Sequence, residues 1–168
     1  MISMPIELSQ DENPLETLDD VAQLRDGWKV THVNETIAFL ELPGDNQRYL
    51  IYLEWQEEFS SLQFETVMNL TILDAQKEMA ANLLMQINNT TWVGHFNLSE
   101  DKQQPVFRHT LFLRHIPSVI GAEMIAQTVD AAIEECNRFF PTFKMLSKGD
   151  IRTQDILSAT LMETAGEA

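Results

Sequence analysis

Cysteine is all but missing from this chain: Cys136 stands alone among 168 residues. An intramolecular disulfide is therefore impossible, and a zinc site built from four cysteines is excluded. Positive charge is also scarce. Eleven Lys and Arg face 26 Asp and Glu, a formal net charge of −15 at pH 7. An acidic protein of this kind is repelled by the phosphate backbone of nucleic acid and by anionic membrane surfaces, so neither is expected as a partner. The same charge favours solubility and steers basic polypeptides. No apolar run approaches the roughly 20 residues that span a bilayer. The start, "MISMPIELSQDENP", has no basic segment followed by a long apolar stretch, which argues against a secretory signal. A reducing cytoplasm is the expected compartment.

The familiar nucleotide and metal motifs are absent as well. There is no GxxxxGK[ST], no GxGxxG, no HExxH and no EF-hand loop, and no cofactor is expected. What remains is ordinary globular material: 44% apolar and 22% charged residues, enough for one hydrophobic core at this length. Residues 1–12 are expected to be a flexible lead segment and 13–168 a single domain.

The periodicity supplies the elements. In "DENPLETLDDVAQL" Asn13 can cap, Pro14 fits the first turn, and Leu15, Leu18, Val21 and Ala22 form an apolar side. Four alternating segments follow: "WKVTHV", "TIAFLEL", "RYLIYLEW" and "LQFETVMNLTI". "PGDNQ" marks a turn between the second and third. The period changes at Asp74, a plausible cap, and "DAQKEMAANLLMQINN" reads as a helix with Met79, Ala80, Leu83, Leu84 and Ile87 on one stripe. Two strands, 91–98 and 105–115, flank the polar loop "SEDKQQ". A helix over 121–143 is expected to end or bend at Pro141, and a last short helix spans 150–164. The order α-β-β-β-β-α-β-β-α-α implies an α+β domain, an antiparallel sheet with helices packed mainly on one face.

Residues 91–115 carry three of the four histidines. His95 and His109 would become cross-strand neighbours if the loop closes a hairpin, which would offer a metal pair or a hydrolytic site. Alternation speaks against it. Phe107, His109, Leu111 and Leu113 share the apolar face, and Arg108 and Arg114 share the polar one. His109 is thus expected at the edge of the core, and His115 near solvent. Glu57–Glu58 is a solvated turn doublet. Glu134–Glu135 are adjacent on a helix and do not converge. Cys136 sits among apolar residues with no basic activator beside it. No catalytic and no metal-binding residue is therefore assigned. Trp55, Trp92, His95, Phe107, Arg108, His109 and Arg114 remain as candidates for partner binding or for the scaffold.

The segments "NPLETL", "RYLIYLEWQEEFSSLQFETVMNL", "INNTTWVGHFNLSEDKQQPVFRHTLFL", "IEECNRFFPTF" and "LSATLMETAGEA" resemble the bacterial YbjN-domain family of sensory transduction regulators. That family is similar in fold to type III secretion chaperones. The resemblance covers about residues 13–168. It implies a noncatalytic, dimeric domain that binds or regulates another protein, and it brings no catalytic constellation. Trp92, Gly94, His95, Phe96, Phe107, Arg108 and His109 match its central pattern. The functional expectation is a protein-interaction or regulatory domain, with reversible chaperone-like binding of a partner polypeptide as its most concrete form. The alternative is a hydrolytic or metal-binding protein using His95 and His109.

Overall fold

The computed structural model describes residues 11–149. The helix expected over 150–164 and the family-like ending at 157–168 lie outside the described residues. So does most of the lead segment, but Asp11 and Glu12 are tied down. Asp11 accepts from the Ser60 hydroxyl and from the His115 amide, the latter at 2.7 Å. Glu12 accepts from the Ser118 amide at 2.5 Å.

The chain enters through a 3-10 turn, Pro14–Thr17, capped by the Asn13 carboxamide oxygen accepting from the Leu15 amide at 3.0 Å. That turn runs into α1 (Leu18–Gln23). Six strands follow in two groups: β1 (Lys29–His32), β2 (Ile37–Pro43), β3 (Arg48–Gln56) and β4 (Ser61–Val67), then β5 (His95–Leu98) and β6 (Pro105–Phe112). Between the groups lies α2 (Lys77–Thr90), and α3 (Ser118–Lys148) closes the order. All six strands form one antiparallel sheet in the order β1-β2-β3-β4-β6-β5. β6 is thus inserted between β4 and its own hairpin partner.

Alternation decides what is buried. Ala38, Leu40 and Leu42 of β2, Tyr49, Ile51, Leu53 and Trp55 of β3, and Leu62 and Phe64 of β4 face the helices. They form one core with Ala80, Leu83 and Ile87 of α2 and with Ile125, Val129, Ala132, Cys136 and Phe139 of α3. Their strand neighbours, among them Phe39, Leu50, Tyr52, Glu54 and Glu65, are half-buried or exposed on the other face. The α+β class and the one-sided helical layer are as the periodicity implies.

The structure departs from the sequence reading at four places. Pro141 does not end α3, which continues to Lys148. Phe140, Phe143 and Leu146 are buried around and beyond it, so the apolar stripe holds the helix together despite the missing N–H. β4 stops at Val67 because its partner β6 begins with Pro105. Met68 still donates to the Pro105 carbonyl at 2.9 Å, but proline has no N–H to answer with. Asp74 does not cap α2; its carboxylate accepts from Gln103 Nε2 at 2.8 Å and pairs with Lys77 at 3.2 Å. Finally, residues 91–94 are not strand. β5 begins only at His95, after Gly94 takes a φ of 61°.

Candidate functional site

Gly94 is the pivot of the region. A Cβ there would meet the Phe107 ring at 2.4 Å and the Arg108 carbonyl oxygen at 2.5 Å. Close approach and positive φ both call for glycine. The kink throws Trp92 off the line of β5, and its side chain ends 74% exposed. Beyond the kink, β5 is clamped to the end of α2. The Phe96 amide donates to Asn88 Oδ1 at 2.7 Å, and Asn88 Nδ2 donates to the Phe96 carbonyl at 2.9 Å. Phe96 then packs edge-on to Phe107 and Phe139 and against Phe143, with ring centroids 5.2, 5.6 and 5.7 Å apart.

The register separates the two histidines. His95 stands opposite Arg108, and His109 stands opposite Phe64 of β4. His95 is therefore on the outer face, while His109 is on the helix side with its ring 6.2 Å from that of Phe64. Burial pushes the His109 pKa below its ordinary value, and the nearby His95 adds to this. Among the described residues no group of three His, Cys, Asp or Glu side chains is placed to hold a metal ion.

Two depressions meet at Gly94 and His109. One, of 260 Å³, is polar and lined by Gln63, Glu65, His95, Arg108 and Thr110 as well as Phe64. In it Arg108 pairs with Glu65 at 3.0 Å, while its buried Nε–H finds no acceptor among the described residues. The other, of 450 Å³, is mainly apolar and lies between β6 and α3, with Trp92, Val93, Leu111, Met124 and Ala131 in its walls. The remaining candidates fall elsewhere. Trp55 and Phe107 are core residues, 4% and 0% exposed. Arg114 is exposed just past the end of β6, and His115 beside it adopts a φ of 60°.

The acidic pairs and the thiol lie where their spacing implies. Glu57 and Glu58 occupy an exposed 3-10 turn. Glu134 is exposed and Glu135 buried, so they point apart. Burial raises the Glu135 pKa against the opposing pull of Arg138, 3.3 Å away. Cys136 is fully buried, and burial pushes its thiol pKa up, away from nucleophilic use. Sequence reasoning missed Leu111, Met124 and Ala131 as groove-lining residues. The signal was present in the helical spacing of Ile120, Met124, Gln127 and Ala131, but nothing local says that β6 lies beside them.

Among the described residues, these features define an α+β domain with one covered sheet face, one open face and a shallow cleft at a strand end. The chain belongs to the YbjN family, whose description reads "Putative bacterial sensory transduction regulator" and whose family model matches residues 14–145. Among solved structures it is similar to one titled "Crystal structure of YbjN, a putative transcription regulator from E. coli". The TM-score is 0.53 at 12% identity, covering 76% of this chain and 88% of that one. At that identity the likeness shows the fold. No curated protein matches the chain. No helix among the described residues is long and apolar enough to cross a membrane.

Proposed function

We propose that this protein is a noncatalytic regulatory domain that works by reversibly binding a partner polypeptide in the cytoplasm. The observation that carries the reading is the pairing of an exposed Trp92 with an open apolar groove beside β6. Aromatic residues left in water beside a groove are the usual anchors of protein contacts. His95 and His109 both border the polar depression but stand on opposite faces of the sheet, a poor arrangement for the hydrolytic or metal-binding alternative, which needs both on one reacting atom. The mechanism is shielding of apolar surface, with the acidic charge steering basic flanks of the partner. Native pull-down followed by titration of the purified partner tests it. Saturable binding is expected; no saturable polypeptide partner under any growth condition would overturn it.

We further propose that two copies associate. Leu50 and Val67 on the open sheet face are 50% and 38% exposed, near the Phe39–Tyr52 ring pair, and a second copy would bury them. Sedimentation over a range of concentrations reads the outcome. A species of 19.2 kDa at every concentration would refute association.

A further inference from the structure

We propose that the free edge of β6, from Thr110 to Phe112, accepts an extended apolar segment with basic flanks as a seventh strand of the sheet. The inference rests on the polypeptide-binding reading and gives it a place and a chemistry.

The main chain supplies the first argument. Met68 donates to the Pro105 carbonyl, and Leu113 donates to the Ser60 carbonyl at 2.8 Å. With the register of β4 and β6, the odd-numbered residues of β6 therefore aim their N–H and C=O groups at β4. The even-numbered residues aim theirs the other way. β5 takes up Val106 and Arg108, opposite Asn97 and His95, and goes no further. Gly94 turns the chain aside, so Thr110 and Phe112 present main-chain donors and acceptors that no strand among the described residues meets. Both residues are exposed. An unpaired edge of this kind is a template for strand addition.

The second argument is the shape on either side of that edge. A strand laid along it sends alternate side chains to opposite faces. The side chain opposite Leu111 enters the 450 Å³ groove, between Trp92 and the Met124–Ala131 side of α3. Those opposite Thr110 and Phe112 lie on the outer face, beside a Phe112 ring that is 77% exposed. The incoming segment is thus apolar at the middle position and tolerant of β-branched residues on both sides.

Charge selects the flanks. Glu134 follows Met124, Gln127 and Ala131 on the same helical face, and Glu123 stands next to Met124; both acids are exposed. With a net charge of −15, the groove draws Lys and Arg to its rim. A second copy fits poorly. Pairing β6 with itself about Leu111 would set Arg114 of one copy opposite Arg108 of the other, where β5 already lies.

The test uses the full chain, labelled with nitrogen-15, and a short synthetic peptide with lysines at both ends around alternating valine and threonine. The expected result is saturable binding that slows amide hydrogen exchange at Thr110 and Phe112. Trp92→Ala weakens it about tenfold or more, and so does replacing the terminal lysines by glutamates. Thr110→Pro, which deletes an edge donor, abolishes it; Trp92→Ala keeps the test valid if that variant misfolds. Binding that leaves both amides and the Trp92→Ala affinity unchanged would overturn the edge assignment and leave polypeptide binding standing. Protection of the same amides by protein concentration alone would give the edge to a second copy and likewise overturn it. Failure of the peptide, together with a native partner that binds wild type and Trp92→Ala equally, would also sink it. Absence of any polypeptide partner would remove both readings.

Discussion

β6 is one strand with two unlike halves. From Pro105 to Arg108 it is paired on both edges, and Val106 and Phe107 are 2% and 0% exposed. From His109 to Phe112 it is paired on one edge only among the described residues, and exposure rises to 77% at Phe112. Both ends of the strand are apolar, "PVF" at 105–107 and "LF" at 111–112. What changes is whether β5 lies alongside, and that is decided by a single backbone kink at Gly94. An apolar residue on this strand is core where a neighbour covers it and contact surface where none does.

The sharpest way to break this contrast is at its buried half. Phe107→Ala removes a ring packed on Phe96 and should cost about 3–5 kcal/mol, read as a lowered denaturation midpoint. Next comes the pivot. Gly94→Ala puts a Cβ against the Arg108 carbonyl at a positive φ and should cost about 2–3 kcal/mol. Exchange at the β5 amides should accelerate with it, because the kink positions that strand. A smaller effect follows from pH. The folded pKa of His109 is depressed, so the unfolded chain binds more protons as the pH falls through the ordinary histidine range. Stability contributed by the neutral ring is present at neutral pH and is lost on acidification. Urea midpoints measured at about pH 7.5 and about pH 5.5 should converge in His109→Gln relative to wild type. The smallest change in stability is expected in the open half. Trp92→Ala should change the unfolding free energy by less than about 0.5 kcal/mol, and a large loss would mean that Trp92 belongs to the core after all.

The region was only partly legible in advance. The face assignments on β6 could be read directly: Phe107, His109 and Leu111 on one side, Arg108 and Thr110 on the other. His109 does sit at the core edge with a suppressed proton affinity. The alternation of Trp92, Gly94, Phe96 and Leu98 extends a strand pattern through residues 91–94, but positive φ at Gly94 breaks the strand there. Glycine permits such a kink without requiring one, so only its contacts with Phe107 and Arg108 reveal it. Pro141 shows the same limit from the other side. The residue normally stops a helix, but the buried Phe139, Phe140 and Phe143 around it outweigh one lost hydrogen bond.

By itself the sequence determined the kinds of element, the buried side of most of them and the acidic character of the molecule. Each of these is written in spacing or composition within a short window. Only the tertiary structure decided that β6 slips between β4 and β5, that β5 begins only at His95, and that α3 stands beside the exposed β6 edge. Those outcomes depend on hydrogen bonds and close contacts between residues far apart in the chain, which no local pattern encodes.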